Sequence, residues 1–242
     1  MLMQINSQKI HELSFKNIKK IFLGALKGKS LSRILQNIAL EQVSLQGSGV
    51  DLGSKSNKSS YYKSIQLKEG VNILFTDLYP QNDKVVKLDL EKDFPFENSS
   101  KDFLLLINVL EHLFKYQNCI QESFRVLKKQ GYLIGIVPFL HQVHLDPDDF
   151  FRYTQSSLRR LFEEVGFTDI QIAPLGFGPF SSGFAQTAMQ FANVKILRPL
   201  IAICFLNTII LDKILDLFFK KKQGSLSRTE RYPLTYFFVC KK

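Results

Sequence analysis

Five short runs of apolar residues, separated by helical or loop stretches, constrain this chain more than any other feature. The runs are GVDL, VNILF, VVKLDL, FLLLINV and YLIGIVPF, all within residues 49–139. Strands that are buried on both faces read as continuous apolar runs, and strands that alternate with crossover segments form a parallel sheet. The pattern therefore predicts an α/β fold built on a mostly parallel sheet.

The remaining segments complete the sheet and add two helical regions. SSLRRLFEEVGF starts with serine and has a glycine stop before its last residue, as a capped helix does, and TDIQIAP and TYFFVCKK read as strands. The predicted fold is a doubly wound, mostly parallel, seven-stranded sheet with an N-terminal helical segment and a helical insertion before the last strand. The predicted regions are 1–45 (N-terminal helical segment), 46–174 (α/β core), 175–231 (helical insertion) and 232–242 (last core strand).

Composition indicates one domain in a reducing compartment. With 242 residues and 45% hydrophobic side chains, the chain can bury one core. Cys119, Cys204 and Cys240 are widely spaced and match neither a disulfide framework nor a metal-binding pair. The first residues lack the continuous apolar run of a signal peptide. We therefore expect a cytoplasmic protein.

An excess of basic residues predicts a polyanionic partner. The formal net charge is +10, and the basic side chains concentrate in residues 16–33 and 195–222. Charge of this sign suits either nucleic acid or the anionic surface of a membrane. Charge alone does not choose between these two partners.

Residues 14–43 carry an amphipathic helical pattern. Their period places several apolar side chains near one face and the lysines elsewhere, and the apolar set is Phe15, Ile18, Phe22 and Leu26. Because Gly24 and Gly28 weaken a helix, two short helices fit as well as one. A helix that caps the core and a helix on a membrane surface both have this pattern.

The predicted insertion contains a second apolar segment. Its uncharged run, residues 199–211, is too short to cross a bilayer, for which about 20 residues are needed. A helix buried in a cap or in the contact of a homo-oligomer fits the run. An interfacial helix fits equally well, with Lys213 and Lys220 to Lys222 at anionic headgroups and the protein at the inner membrane face.

Polar residues stand where the predicted strands end. Asp51 and Gly53 follow the first strand, Asp77 the second, Asp89 the third and Asn108 the fourth. In open parallel sheets, ligands bind beyond the carboxyl ends of the strands. An acid about 20 residues past a glycine turn is placed to accept the hydroxyls of a ribose, and an acid after the third strand can accept from an exocyclic amine. The spacing therefore predicts a nucleoside site.

The run VVKLDLEKDFPFENSSKDFLLLINVLEHLFKYQNCIQESFRVLKKQGYLIGIVPF resembles the core of the class I S-adenosylmethionine-dependent methyltransferases. The matching elements are Asp89, Pro95-Phe96, Leu110-Glu111-His112, Arg125 to Lys128, and Gly131. The resemblance covers roughly residues 49–172 and the last strand, and it implies a Rossmann-like methyltransferase fold. The segment PFLHQVHLDPDDFFRYTQSSLRRLFEEVGF resembles a narrower branch that is associated with glycan and cell-envelope biosynthesis.

The resemblance implies S-adenosylmethionine as the cofactor and six residues that bind it. It places Asp51 and Gly53 near the methionine moiety, Asp77 at the ribose hydroxyls, Asp89 and the Leu90 backbone at the adenine, and Asn108 near the amino group.

The opening turn departs from the family pattern. Lys55 and Asn57 stand where further glycines are expected. Glycine allows positive φ and a close approach of the backbone to the ligand, and asparagine tolerates the left-handed conformation. Binding survives if Lys55 points away or pairs with the cofactor's carboxylate, and it is lost if the ammonium group fills the pocket. We expect survival, because the three strand-end aspartates are all present.

The segment after the fifth strand faces the methyl donor and supplies the acceptor-side candidates. Histidine titrates nearest neutrality, so His144, and after it His141, are the candidate general bases. Asp149 could orient a histidine or bind sugar hydroxyls, Arg152 could clamp a phosphate or carboxylate, and Tyr153 lies beside them. Capping of backbone groups at a helix start explains Asp149 equally well.

We predict no metal site. His141, His144 and Asp146 carry suitable ligand atoms, but the proline that follows means that helical ligand geometry is not assured.

Three functions stay open on the sequence. The first is a methyltransferase for a small-molecule or saccharide acceptor, including lipid-linked, envelope-related ones, on a peripheral membrane protein. The second is a non-catalytic, methyltransferase-like binding module with a degenerate cofactor turn. The third, a nucleic-acid methyltransferase, is disfavoured because NVLEHL follows the fourth strand in place of an Asn/Asp-Pro-Pro-Tyr element, and no RNA- or DNA-binding motif is present.

Overall fold

The computed structural model of the chain describes residues 4–54, 59–219 and 225–242. The strands are β1 (Ser44–Leu45), β2 (Ser48–Leu52), β3 (Gln66–Leu67), β4 (Asn72–Asp77), β5 (Val85–Lys87), β6 (Lys101–Ile107), β7 (Leu127–Pro138), β8 (Thr168–Leu175) and β9 (Thr235–Lys241). The α-helices are α1 (Ser7–His11), α2 (Phe15–Leu26), α3 (Leu31–Leu40), α4 (Tyr116–Val126), α5 (Gln155–Val165), α6 (Pro179–Met189), α7 (Arg198–Phe218) and α8 (Arg228–Arg231). Short 3₁₀ turns span Ser60–Lys63, Leu110–His112 and Lys195–Leu197.

Seven of the strands form one sheet in the order β5-β4-β2-β6-β7-β9-β8. The pairs from β5 through β7 are parallel, whereas β9 is antiparallel to both β7 and β8. The order reverses at β2, whose neighbours β4 and β6 lead outward in opposite directions. The predicted doubly wound, mostly parallel, seven-stranded fold is confirmed.

Two apolar layers cover the faces of this sheet. One contains side chains of α4 and α5, among them Ile120 and Phe162. The other joins the N-terminal helices to the helices that precede β9, through residues such as Ile21, Leu35 and Phe205. The N-terminal helices and the segment before β9 therefore share one core with the sheet.

The amphipathic N-terminal segment forms two helices, α2 and α3. Gly28, with a φ of 76°, lies in the left-handed region between them, which favours glycine. Ile21 and Ala25 are buried on α2, while Phe15 is 82% exposed. The apolar face is thus rotated relative to the predicted one, since α2 packs against both α3 and α7.

The apolar run of the insertion lies in α7. Ala202, Phe205, Ile209 and Asp212 are the residues of α7 that are buried. The Asp212 carboxylate accepts hydrogen bonds from the backbone N–H groups of residues 180 and 181, so this acid caps the start of α6. Among the described residues, α7 and the other helices are too short or too polar to cross a bilayer.

A buried carboxyl group fastens the end of β2 to the turn beyond the opening loop. Tyr61 and Tyr62 both donate hydrogen bonds to Oδ2 of Asp51, whereas Oδ1 is buried without a hydrogen-bond partner. Burial raises the pKa of Asp51 to about 6, although the two tyrosine hydroxyl groups oppose this rise. Ionising Asp51 therefore costs folding stability.

We predict that Asp51→Asn gains stability relative to the wild type as the pH rises. The ordinary pKa is 3.8 and the folded-state value is about 6, so the folded state binds the proton more tightly than the unfolded chain does. The wild type should lose about 3 kcal/mol in total as the pH rises from well below the first value to well above the second, about 2 kcal/mol of it between pH 4 and pH 7, and the neutral amide should not. Denaturant unfolding at pH 4 and pH 7 measures the difference.

Asp102→Asn is the matched control, because the pKa of Asp102 is lowered. Partial burial opposes ionisation there, but the Ser48 N–H group and the Lys128 ammonium group outweigh it. This variant should differ from the wild type by nearly the same amount at pH 4 and at pH 7, because a carboxyl group with a lowered pKa loses its stabilising effect only as the pH falls below the ordinary value of 3.8. An Asp51→Asn difference that is the same at both pH values would contradict the assignment.

Candidate functional site

The carboxyl ends of β2, β4 and β6 open into a cavity of about 340 Å³, here called the acidic cleft. Gly53, Asp77 and Asn108 stand at those three strand ends and line it. Asp89 and Leu90, which follow β5, complete the wall. Five of the six residues that the sequence assigns to the cofactor therefore surround one cavity.

The turn after β2 takes a shape that requires glycine. Gly53 has a φ of 72°, and a Cβ atom there would lie 2.7 Å from the Val109 side chain. Asp77 and Asp89 also line the cleft, and each carboxylate accepts a hydrogen bond from the backbone N–H group two residues further along the chain. Asp77 Oδ1 accepts from the Tyr79 N–H group at 2.9 Å, and Asp89 Oδ1 accepts from the Glu91 N–H group at 3.0 Å.

The sixth predicted cofactor residue, Asp51, is not among the residues that line the acidic cleft. Its side chain is buried beneath the turn and bound by the two tyrosines. Asp51 therefore supports the polypeptide around the turn after β2 and does not line the cavity. Lys55 and Asn57, on which the question of the opening turn depends, lie outside the described residues.

Asn108 links the acidic cleft to a second cavity. It has a φ of 53°, an uncommon conformation for a residue other than glycine. Its amide exchanges two hydrogen bonds with the Gln36 amide, at 3.2 and 3.3 Å.

This second cavity, of about 180 Å³, is here called the histidine cavity. Its walls come from α3, from the turn after β6 and from the segment after β7. The lining residues are Ser30, Ser32, Arg33, Gln36, Asn108, Glu111, Pro138, His141 and His144. Both predicted general bases thus lie in one cavity.

Arg33 and Gln36 are functional candidates that the sequence did not reveal. Burial lowers the pKa of the Arg33 guanidinium, and no ion pair among the described residues involves it. The sequence places Arg33 at the edge of a basic amphipathic segment, where an inward-facing arginine looks like any surface cation. Only the packing of α3 shows that it faces the cavity.

Glu111 is the third candidate that the sequence did not single out. Its side chain is fully buried, and neither carboxylate oxygen has a hydrogen-bond partner. Burial raises its pKa to about 8. Oε1 lies 3.7 Å from Nε2 of His112 and 4.0 Å from Nε2 of His144. The sequence feature that could have pointed to Glu111 is an acid next to a histidine shortly after an apolar strand.

Asp149 and Arg152 bind each other. The Arg152 guanidinium donates to both carboxylate oxygens of Asp149, at 2.5 and 2.7 Å, and holds the pKa of Asp149 well below its usual range. Asp149 also accepts from the backbone N–H group of His144 at 2.9 Å. Neither residue is among those that line the two cavities.

Tyr153 lies in the core beside this pair. It is 5% exposed, and its hydroxyl group donates to the Leu110 carbonyl oxygen at 3.1 Å. Burial raises its pKa. The predicted acceptor residues Asp149, Arg152 and Tyr153 therefore brace the loop that carries the histidines.

A larger cavity, of about 590 Å³, lies at the opposite edge of the sheet. Gly47, Asp102 and Phe103 line it, near the points where β2 and β6 begin. Ligands of open α/β sheets bind at the carboxyl ends of the strands. Volume alone therefore does not locate the functional site here.

Comparison with known proteins identifies the α/β core. A family model described as a methyltransferase domain matches residues 46–135, the stretch that runs from the start of β2 into β7. No match was found among curated proteins.

Solved structures show the same fold. A SAM-dependent methyltransferase from Thermotoga maritima is 14% identical, with 94% of this chain and 92% of that chain covered and a TM-score of 0.50. Phosphoethanolamine N-methyltransferase 2 from Haemonchus contortus, in complex with S-adenosyl-L-methionine, is 13% identical, with 86% and 52% covered and a TM-score of 0.51. The [4+2]-cyclase SpnF is 12% identical, with 100% and 98% covered and a TM-score of 0.52. Since one of these is a cyclase, the fold alone does not define the reaction.

The acidic cleft fits the cofactor of such a domain. Its volume is within the usual range for small-molecule sites. Gly53 provides a floor that a side chain would disturb, and Asp77 and Asp89 supply acceptor oxygens for hydroxyl and amine groups. The chain contains a class I S-adenosylmethionine-dependent methyltransferase domain, and S-adenosylmethionine is the cofactor of that domain.

Proposed function

We propose that the protein transfers a methyl group to a hydroxyl group of a small saccharide acceptor, including lipid-linked, envelope-related saccharides. The observation that carries the proposal is that Asn108 lines both cavities. A donor in the acidic cleft and an acceptor in the histidine cavity would therefore meet at this residue. Holding the two groups in line is the larger part of the catalysis that such a transfer needs.

In this proposal the acidic cleft holds the cofactor. Asp77 accepts from the ribose hydroxyls, Asp89 and the Leu90 backbone bind the adenine, and Asn108 and the turn at Gly53 face the methionine part. Asp51 does not touch the cofactor in this proposal, and it contributes by holding the turn at Gly53 in position. S-adenosylmethionine supplies an already activated methyl group, so the protein's remaining task is to orient the acceptor and take its proton.

His144 is the proposed proton acceptor, with His141 next to it. The two rings are 4.7 Å apart between centroids. Burial lowers the pKa of His141, which keeps its imidazole neutral and able to take a proton near pH 7. Asp149 and Arg152 are proposed to position His144, because Asp149 binds its backbone and Arg152 fixes Asp149.

The position of Arg33 is an argument for an acceptor that carries an anionic group. Arg33 lines the histidine cavity and has no carboxylate partner among the described residues. Arginine pairs well with planar carboxylates and with phosphates. A saccharide joined to a lipid through phosphate carries such a group beside its hydroxyls, which is why we include lipid-linked acceptors.

The exposed side of α7 supports a peripheral membrane position. Its apolar residues, here called the α7 stripe, are Leu200, Ile203, Ile210, Leu211, Ile214, Leu217 and Phe218. Lys195 precedes the helix and is exposed, as is Lys16 on the neighbouring α2. We propose that the α7 stripe enters the headgroup region of an anionic membrane. Lys213 is not included among the headgroup contacts, because its ammonium group lies over the Phe177 ring at 5.6 Å. Lys220 to Lys222 lie outside the described residues.

We predict that S-adenosylhomocysteine binds with one-to-one stoichiometry in a calorimetric titration and that Asp77→Ala weakens binding 10- to 100-fold. Such a loss is typical when a charged acceptor of hydrogen bonds is removed. Asp83→Ala, which removes an exposed aspartate on the following loop, is the control and should bind as the wild type does. Undetectable binding by the wild type at millimolar ligand would instead support the non-catalytic, methyltransferase-like module.

We also predict that the protein cosediments with vesicles that contain phosphatidylglycerol and binds less to neutral vesicles. The double variant Ile203→Asp/Ile210→Asp should bind at least tenfold less, because two apolar anchors of the α7 stripe become charged. Val86→Asp, on the edge strand β5, is the control for an exposed apolar residue elsewhere. If the double variant lowers the mass of the protein in solution and leaves vesicle binding unchanged, the stripe is an oligomer contact.

A further inference from the structure

Three side chains that the cofactor does not need direct their nitrogen and oxygen atoms at one position between the two cavities. They are Glu111, His112 and His144, and one ligand atom from each lies within 4.8 Å of the other two. Glu111 and His144 line the histidine cavity, and His112 lines the acidic cleft. The position is therefore next to Asn108, where donor and acceptor would meet.

The Glu111 carboxyl group has no partner of its own. Its side chain is 0% exposed, both oxygens lack hydrogen bonds, and the nearest histidine nitrogens, at 3.7 and 4.0 Å, are beyond hydrogen-bonding distance. A buried polar group without a partner is costly, and a buried charge is more so. A cation between these three residues would remove that cost.

Both histidines present the nitrogen that a metal ion needs. Nδ1 of His112 lies 2.6 Å from the Asp148 carbonyl oxygen, which can only accept, so Nδ1 carries the proton and Nε2 has the lone pair. Nδ1 of His144 makes no hydrogen bond, but it lies 3.4 Å from Asp149 Oδ2, and the negative charge of this carboxylate favours the proton on Nδ1. A carbonyl or carboxylate behind a histidine ring is the usual support of a metal-binding histidine.

We propose that Glu111, His112 and His144 bind a divalent cation of the zinc class. Two imidazole nitrogens and one carboxylate oxygen are a ligand set of catalytic zinc sites, which keep a further position open. Ligands around such an ion are about 3.4 Å apart. The separations of Glu111 from the two histidines, 3.7 and 4.0 Å, must therefore shorten by about half an ångström, and the separation of the two histidine nitrogens, at most 4.8 Å, by up to about 1.4 Å.

Glu111 and His144 line the histidine cavity, so an oxygen of an acceptor held there would be within reach of such an ion. A cation there lowers the pKa of a bound hydroxyl group and fixes its orientation. With the ion in place His144 is a ligand, and His141, which lies outside the cluster, becomes the nearby proton acceptor. This role rests on the function proposed above, whereas the site itself rests on the three side chains alone.

The test uses the full chain after dialysis against a chelator. Calorimetry with Zn²⁺ should show one site per chain, which millimolar Mg²⁺ does not occupy, since imidazole ligands favour transition metals. Glu111→Gln keeps the shape of the side chain and should weaken Zn²⁺ binding at least tenfold, as should His112→Ala. His141→Asn should change the dissociation constant less than threefold.

A Co²⁺ titration provides a second readout that needs no variant. Visible bands of a low-symmetry site without sulfur-to-metal charge transfer are expected, because the three cysteines are not in the cluster. Absence of one-to-one binding by the wild type, an unchanged affinity of Glu111→Gln, or an equal loss in His141→Asn would overturn the proposal. S-adenosylhomocysteine should bind with and without the chelator, so failure of the metal site is distinguishable from failure of the proposed methyl transfer.

Discussion

The pair of hydrogen bonds between the amides of Gln36 and Asn108 ties α3 to the carboxyl end of β6, and both cavities depend on it. Asn108 has a positive φ, which asparagine tolerates better than most residues, and its amide bonds to that of Gln36. Gln36 is 5% exposed, and its amide bonds to Ser32 as well as to Asn108, so its hydrogen-bonding groups are paired in the interior. Through this contact the N-terminal helical segment becomes a wall of the functional site.

The sequence predicts the parts of the site that follow from strand periodicity. Asp77, Asp89 and Asn108 end apolar strands, and parallel strands bring their carboxyl ends to one edge, so their convergence follows from the pattern. Arg33 and Gln36 belong to α3, which packs against β8 and β9, more than 120 residues further along the chain. Tertiary packing of that kind leaves no local signal, and it also explains why the exposed Phe15 was expected on the buried face.

Side chains in the loop after β7 show the other limit of sequence reasoning. The aspartate and arginine at 149 and 152 have the chemistry of substrate ligands, yet they satisfy each other with two short hydrogen bonds. Whether a charged side chain meets a ligand or a neighbour depends on distances of a few ångströms. Glu111 illustrates the reverse case, since an acid that looks like part of a turn is buried with no partner.

Two buried carboxyl groups, Asp51 and Glu111, lie near the ends of the adjacent strands β2 and β6, and burial raises the pKa of both. Each destabilises the folded chain when it ionises, and groups with such raised pKa values concentrate at functional sites. The central claim is that one continuous site runs from the acidic cleft past Asn108 into the histidine cavity. A crystal structure with S-adenosylhomocysteine tests it most directly. The account predicts the nucleoside between Asp77 and Asp89 and the sulfur atom at Asn108, facing His144. A ligand bound at the opposite edge of the sheet, or with its sulfur turned away from the histidine cavity, would contradict it.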